Sequence, residues 1–310
     1  WNPSPVDRVQ IAYGADSRVQ SLLGVAEATG SDGFEALAAM QAAWFFGANH
    51  AGQRMYDPAT GVTYDGLQPD GTVNRNSGAE STIHGLLTAL ALDANPDVKR
   101  QAVALTEVTD REGLSWIEAE DAVSTTGEIS TPESWTGESS WSGDKLTLSR
   151  GETAVFDVGT AASDRWIEPV VWSEVGERTS SSWTGDRARL GTLQLTGPRQ
   201  GISPTPGAMH PHTLQKAMPR SSEELRVQST RGDLQLDGIL VRPFVSRLVL
   251  EGDGGARTEL VHSAARSPQK VRVGAGDLAV YDDRGREVRA KKDRFGAVTL
   301  PAGGFAIVER

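Results

Sequence analysis

The sequence predicts a multidomain α plus β protein, in which a helical segment precedes two groups of short strands. Near the N-terminus apolar residues recur at helical spacing, whereas from about residue 109 they alternate within short β-branched segments separated by Ser, Gly and Thr. No regular alternation of strands and helices, as in a parallel α/β sheet, is present. We therefore expect residues 1–108 to be helical, 109–243 to form an antiparallel β-sandwich and 244–310 to form a small all-β domain.

Three helices are expected in the first of these segments. Apolar spacing places two of them over 6–29 and 33–48, with Gly30 ending the first and Ser31 or Asp32 capping the second. The third opens at residues 77–80, Ser-Gly-Ala-Glu, which fit an S-x-x-E capping box, and it ends at Asn95-Pro96. Between the second and third helices, residues 47–78 show no hydrophobic periodicity, and a loop of that length is usually functional.

Composition narrows the classes of function. The 310 residues include 31 Lys and Arg against 41 Asp and Glu, a net charge of −10 that argues against nucleic acid as a partner. There is no cysteine, which excludes disulfides and thiolate metal sites. No apolar stretch approaches the roughly 20 residues of a membrane span. Because the chain begins at Trp1 without a methionine, we expect a processed or truncated product, and the missing N-terminal part is a candidate partner.

A first resemblance rests on four motifs: WFFGAN at 44–49, MYDP at 55–58, YDGL at 64–67 and NRNSGAEST at 74–82. With these motifs, residues 9–95 resemble the closing portion of bacterial (α/α)6-toroid carbohydrate-active domains. The resemblance implies that most of the toroid's helices lie outside this sequence. It also implies a polysaccharide or oligosaccharide as the partner.

A second resemblance rests on WIEAED at 116–121 together with LQLDGI at 234–239. Residues 115–243 look like β-sandwich carbohydrate-binding modules of the jelly-roll kind, with these segments as the first and last strands. Such modules commonly hold a structural calcium ion with these acidic residues. The resemblance therefore implies Ca²⁺ as a cofactor and Asp237 as one of its ligands.

Candidate catalytic residues are carboxylates, because glycoside cleavage needs two of them across the scissile bond. Glu80 is one candidate, since it opens a helix beside a polar loop, and Asp57 and Asp65 are candidate partners from that loop. The structural alternative is that the Glu80 side chain accepts a hydrogen bond from the Ser77 backbone N–H, as in a capping box. Aspartates beside glycine are likewise ordinary turn formers.

Aromatic rings in polar segments are candidate sugar-binding residues, because pyranose faces present C–H groups that pack on such rings. Trp44 and Trp172 lie in apolar patterns and are expected in the core. The candidates in the loop are Tyr56, Tyr64 and Asn76, and those in the sandwich are Trp135, Trp141 and Trp183.

Glu118 and Glu120 are candidate metal ligands. Two residues apart in a strand, their side chains leave the same face, where two carboxylates repel unless they are solvated or bridged by a cation. Ca²⁺ accepts oxygen ligands of this kind, with Asp237 as the third. The alternative is a solvated edge strand.

The leading hypothesis is a secreted carbohydrate-active protein, part of a polysaccharide-degrading glycoside hydrolase with an appended carbohydrate-binding module. One alternative is a non-catalytic glycan-binding or cell-surface module. Another is a polysaccharide lyase. A lyase needs a set of Tyr, His or Arg residues as its base, and the sequence pattern does not identify such a set.

Overall fold

The computed structural model describes residues 9–132, 141–186, 188–197 and 207–310. The chain divides into two compact units, Leu114–Phe244 on the one hand and Trp1–Gly113 with Val245–Arg310 on the other. Three domains were expected, but the helical segment and the last strands belong to one unit. A strand at Glu107–Glu112 pairs with Val245–Glu251, which joins the two segments that flank the sandwich.

The helices follow the predicted pattern with three differences. The first helix begins at Ala12, after a strand at Gln10–Ile11, and so starts later than the expected residue 6. Gly30 is left-handed, with φ of 65°, and its N–H donates to Ala26 O at 2.7 Å, so the predicted stop is confirmed. The second helix ends earlier than expected, in a 3-10 turn at Ala43–Phe46, and a fourth helix begins at Pro96, where a proline N–H is not needed. The described helices are α1 (Ala12–Thr29), α2 (Asp32–Ala42), α3 (Ala79–Ala94) and α4 (Pro96–Ala104).

The predicted capping box is wrong. The N-cap of α3 is Gly78 rather than Ser77, and no side chain at the cap position bonds the helix start. Asp65 from the preceding segment accepts from Gly78 N–H at 3.1 Å and from the Ser81 hydroxyl through the same oxygen. The Asp65 carboxylate thus bonds the N-cap N–H, which is the task expected of Glu80.

The 47–78 segment is partly ordered by a small antiparallel sheet. Its strand at 66–67 pairs with one at 10–11 and with one at 73–74. Trp44, Phe45 and Met55 are buried in the core of this region, which confirms the expectation for Trp44. The described strands before the sandwich are β1 (Gln10–Ile11), β2 (Gly66–Leu67), β3 (Val73–Asn74) and β4 (Glu107–Glu112).

The 114–244 unit is an antiparallel β-sandwich, as predicted. Its described strands are β5 (Ser115–Glu118), β6 (Ser124–Thr125), β7 (Glu128–Ser130), β8 (Lys145–Leu148), β9 (Thr153–Asp157), β10 (Arg165–Glu174), β11 (Arg178–Gly185), β12 (Ala188–Thr196), β13 (Gly207–Pro211), β14 (Glu224–Arg231) and β15 (Leu234–Pro243). They form two sheets. One has the order β13-β10-β15-β8-β7, with β5 also paired to β15, and the other has the order β12-β11-β14-β9-β6. Inward side chains of both sheets share one core.

The last strands pack on the helices. Leu37 and Met40 of α2 share a core with Leu250 and Phe305, which explains why helices and strands form one unit. The described strands here are β16 (Val245–Glu251), β17 (Arg257–Ser263), β18 (Gln269–Arg272), β19 (Asp277–Tyr281), β20 (Ala297–Leu300) and β21 (Phe305–Glu309). The larger sheet has the order β19-β21-β17-β16-β4, and β18 pairs with β20.

No helix in the described part of the chain has the length and apolar character needed to cross a membrane.

Candidate functional site

The three predicted metal ligands of the sandwich all bond to one short segment, residues 142–144. The Ser142 backbone N–H donates to Asp237 Oδ1 at 2.6 Å, and the Ser142 hydroxyl donates to Glu118 Oε1 at 2.9 Å. The Asp144 N–H donates to Glu120 Oε1 at 2.9 Å. Asp237 itself is only 3% exposed. One segment therefore bonds Glu118 and Glu120 as well as Asp237, which lies more than a hundred residues later in the sequence.

The local geometry differs from the prediction. β5 ends at Glu118, whereas Glu120 lies in a 3-10 turn at Ala119–Asp121, so the two side chains do not share the face of one strand. Glu118 pairs with Gly238 of β15, next to Asp237. Strand pairing, rather than spacing within β5, brings Glu118 towards Asp237.

Two carboxylate oxygens of this cluster have no hydrogen-bond partner within the part of the chain that the structure describes. Glu118 Oε2 and Glu120 Oε2 are buried and accept no hydrogen bond from the described residues. A buried, unpaired carboxylate oxygen is costly, and a cation or a proton relieves that cost. Within the described ranges, no group of three or more His, Cys, Asp and Glu side chains is placed to hold a metal ion. A cation here would therefore need other oxygens as well, such as the Ser142 hydroxyl.

Trp183 is a core residue and not part of a sugar platform, so this prediction is wrong. Its side chain is 0% exposed and lies in the core that both sheets share. Its indole N–H donates to the Ser181 hydroxyl at 2.9 Å, which satisfies its one polar group inside the sandwich. The surrounding Ser, Thr and Gly residues belong to β11 and do not form a loop.

Trp141 is a partly exposed ring at the start of the carboxylate-binding segment. Its centroid lies 6.2 Å from that of Trp172, and Lys145 Nζ lies 5.8 Å from the Trp141 centroid. Trp172 is buried, as expected, and donates to Glu174 Oε1 at 3.1 Å. Trp141 thus combines an accessible aromatic surface with charged neighbours. Trp135 lies outside the described residues.

The candidate catalytic carboxylates have different environments. Glu80 is exposed in the first turn of α3 and forms no hydrogen bond with a described residue. Asp65 is occupied at the start of that helix. Asp57 accepts from the Thr60 hydroxyl at 2.8 Å and the Ala59 N–H at 2.9 Å, bonds that lower its pKa. The two aspartates therefore stabilise local structure, and no bond of the described residues links Asp57 to Glu80.

The loop candidates for sugar binding are partly covered. The Arg75 guanidinium lies 5.2 Å from the centroid of the Tyr64 ring. Tyr56 packs edge-on against Phe46 with centroids 6.5 Å apart, and both tyrosines are half-buried. Asn76 is exposed. Of the three candidates Tyr56, Tyr64 and Asn76, only Asn76 is exposed.

Sequence reasoning missed a buried polar cluster between α1 and α3. Asp16 is 2% exposed; its carboxylate lies 2.7 Å from His84 Nδ1 and accepts from the Thr88 hydroxyl at 2.7 Å and the Gln20 amide at 3.0 Å. The signal was present, since Asp16 lies on the same side of α1 as Val19, a core residue. A carboxylate at Nδ1 fixes the orientation of the imidazole.

Comparisons with known proteins give structural neighbours only. No protein-family model and no curated protein matches the chain. A C-terminal CBM6 of a marine laminarinase from Zobellia galactanivorans is 13% identical, with a TM-score of 0.33, covering 42% of this chain and 98% of that one. A carbohydrate-binding module from Cellvibrio mixtus lichenase 5A, in complex with cellotriose, is also 13% identical, with a TM-score of 0.33 and coverages of 41% and 95%.

A third neighbour is the catalytic unit of a thermostable GH87 α-1,3-glucanase from Streptomyces thermodiastaticus. It is 19% identical with a TM-score of 0.33, and the match covers 42% of this chain but only 26% of the glucanase. At TM-scores this low, the likeness supports no conclusion about the function of this chain.

Proposed function

We propose that the 114–244 sandwich binds a polysaccharide or oligosaccharide through a surface that includes Trp141. The observation that carries this proposal is the partly exposed Trp141 ring, directly followed by the segment that bonds three buried or half-buried carboxylates. An exposed ring offers a flat apolar surface to a sugar, and nearby polar groups such as Lys145 supply direction. A segment already held by its bonds loses little entropy on binding.

Replacing Trp141 by alanine is expected to weaken glycan binding by roughly tenfold or more, because exposed aromatic anchors dominate such contacts. Retention of the protein in affinity electrophoresis, across gels containing different soluble polysaccharides, measures the effect. Trp141→Phe keeps a ring and should retain part of the binding. Unchanged retention of Trp141→Ala on every gel that retards the wild type would contradict the proposal.

We propose that a calcium ion stabilises the carboxylate cluster of Glu118, Glu120 and Asp237. The two buried oxygens without partners support this, since a hard cation prefers carboxylate and hydroxyl oxygens. The ion would neutralise charge beside residues 142–144, which directly follow Trp141, and so would hold that ring in place. In this proposal, calcium binding therefore favours glycan binding.

Chelation with EDTA is expected to lower the melting temperature of the protein, because a ligand bound only by the folded state stabilises it by about 2.7 kcal/mol at a hundred times its Kd. Differential scanning calorimetry measures the change, and added Ca²⁺ should reverse it. The double variant Glu118→Gln with Glu120→Gln should be insensitive to EDTA. An unaltered wild-type melt, together with no metal in elemental analysis, would refute the calcium site.

A second candidate function is glycan hydrolysis with Glu80 as one carboxylate. This function is favoured because Glu80 does not close a capping box, so its exposed side chain has no structural partner among the described residues. Asp57 and Asp65 are engaged in local bonds, so the second carboxylate would be a different acidic side chain.

We further propose that other helices of the same protein cover α3, as the toroid resemblance implies. The support is an apolar side of α3 that is accessible in the described structure, with Leu90 65% exposed. An extracellular location is part of this proposal, since large polysaccharides are met outside the cell. The residues of this apolar side are Ile83, Leu86, Leu87 and Leu90.

A further inference from the structure

A tight turn at residues 293–296 leads into β20 and holds Phe295 at the surface. The ring of Phe295 is 64% exposed, and within residues 207–310 no other large apolar side chain is as accessible. Val271 of β18 and Val298 of β20 are buried in the core beneath. The β18–β20 pair is therefore anchored to its unit while this one ring stays in the solvent.

The turn is fixed by hydrogen bonds around Asp293. Its Oδ1 accepts from the Phe295 N–H at 2.8 Å and from the Ala297 N–H at 3.0 Å, and Lys270 Nζ lies 2.8 Å from its Oδ2. These bonds, that of Lys270 first, lower the pKa of Asp293 to about 2, so the carboxylate stays ionised at neutral pH. Gly296 has φ of 74°, a left-handed conformation that suits glycine. A ligand that contacts this turn meets a shape that is already formed.

Positive charge is concentrated around the turn, in a chain whose net charge is −10. Residues 269–272 and 291–300 contain five lysines or arginines and only one acidic residue, Asp293. Two of the five are occupied, because Lys270 pairs with Asp293 and Lys292 Nζ donates to two backbone carbonyls at 2.8 and 2.9 Å. The other three are exposed and form no ion pair within the part of the chain that the structure describes, namely Arg272, Lys291 and Arg294. Three positive charges thus remain available to a ligand.

Strand register places one of these cations beside the turn. Arg272 is the direct antiparallel partner of Ala297, the residue that follows the turn. Because successive strand side chains alternate in direction, Arg272 leaves the face opposite to the buried Val271. The Arg294 guanidinium lies 4.7 Å from the Phe295 centroid. An aromatic ring and two guanidinium groups therefore occupy one end of the β18–β20 pair.

These side chains fit a sugar that carries a carboxylate. The planar guanidinium of arginine donates two parallel hydrogen bonds to a carboxylate, and this pairing is stronger than a neutral hydrogen bond. The face of a pyranose packs its C–H groups on an aromatic ring. A uronic acid unit offers both features in one sugar.

Two other anionic surfaces fit the turn less well. A single exposed ring gives a membrane little apolar area to bind, since stable anchoring needs more than one signal. Duplex DNA carries one charge per about 1.7 Å, so the acidic remainder of this chain strongly opposes its approach. A polyuronate carries only one charge per sugar, and the local positive charge of the turn is sufficient for it.

We propose that the 293–296 turn binds a polysaccharide of uronic acid units, with one sugar packed on Phe295 and its carboxylate held by Arg272 and Arg294. Lys291 is available to the carboxylate of a neighbouring sugar. The turn belongs to the unit that contains the helices, so this site is separate from the Trp141 surface and does not depend on it.

Isothermal titration calorimetry with hexagalacturonate and hexamannuronate tests the proposal. At least one of them should bind, and its fully methyl-esterified form, which has the same sugars without the charge, should bind at least about tenfold more weakly. The double variant Arg272→Gln with Arg294→Gln should weaken binding by about tenfold or more, because two charged hydrogen-bond donors are lost. Phe295→Ala should weaken binding by about fivefold, because the sugar loses its aromatic surface.

The matched control is the double variant Arg18→Gln with Arg178→Gln, which removes two exposed arginines from α1 and β11. This control should bind like the wild type, and so should Trp141→Ala. Thermal melts check that every variant is folded.

Failure of both oligouronates to bind, equal binding of the methyl ester, full binding by Phe295→Ala, or an equal loss in the control pair would overturn the proposal. Loss of binding only in Trp141→Ala would place the ligand on the sandwich, which overturns this site and leaves the glycan-binding proposal intact. Binding of phosphatidylserine vesicles or duplex DNA, weakened in the Arg272 and Arg294 double variant and without binding of either oligouronate, would assign the turn to a different partner and would also overturn it.

Discussion

Trp183→Ala is expected to lower the free energy of unfolding of the sandwich by about 3–5 kcal/mol, because removing a fully buried indole leaves a cavity that neighbouring side chains fill only in part. The ring is 0% exposed, and its loss also leaves the buried Ser181 hydroxyl without its indole donor. Urea unfolding followed by far-ultraviolet circular dichroism measures the change without depending on tryptophan fluorescence.

Trp141→Ala is the matched control for this stability experiment. Because the Trp141 ring is partly exposed, its removal should cost no more than about 1 kcal/mol. The two tryptophans thus separate a core role from a binding role: one variant unfolds easily, and the other folds but binds glycan weakly. Equal stability losses for both variants would show that Trp141 is also a core residue and would remove the proposed platform.

Glu80→Gln is expected to lower glycan hydrolysis by about 10²–10⁴-fold, the contribution typical of a positioned acid or base. Because Glu80 is exposed and forms no hydrogen bond with a described residue, stability should change by less than about 0.5 kcal/mol. Release of reducing ends from a panel of polysaccharides by the complete native protein measures the rate, and a thermal melt measures stability.

Asp65→Ala is the control that separates chemistry from helix capping, because alanine removes the oxygen that bonds the start of α3. Asp65 bonds the start of α3, so its replacement should cost about 1 kcal/mol of stability. A Glu80→Gln protein with normal turnover would remove Glu80 from the catalytic role. A native protein that releases no sugar from any polysaccharide would remove hydrolysis and leave the glycan-binding proposal.

Local patterns were sufficient for many elements. Alternation in short segments after about residue 109 predicted the antiparallel sandwich, and β8 has the alternating burial that a sheet with one buried face requires. Gly30 ended α1 as predicted, since a left-handed helix end favours glycine whatever surrounds it. The apolar context of Trp172 similarly predicted its burial.

The candidate sites depended on partners distant in sequence. Trp183 looked like a loop residue because Ser, Thr and Gly surround it, but the pairing of β11 with β12 and β14 places it in the core. The start of α3 is bonded by Asp65, which the local capping pattern at Ser77 did not reveal. In both cases a long-range contact overrode the local composition.

The sequence by itself determined the order of helices and strands, the antiparallel sandwich and the candidate carboxylates. Tertiary structure alone decided that β4 and β16 join the helices and last strands in one unit, and that residues 142–144 gather Glu118, Glu120 and Asp237. The physical reason is that periodicity reports which face of an element is buried. Strand pairing and register, which set the neighbours of each side chain, arise only when distant segments pack together.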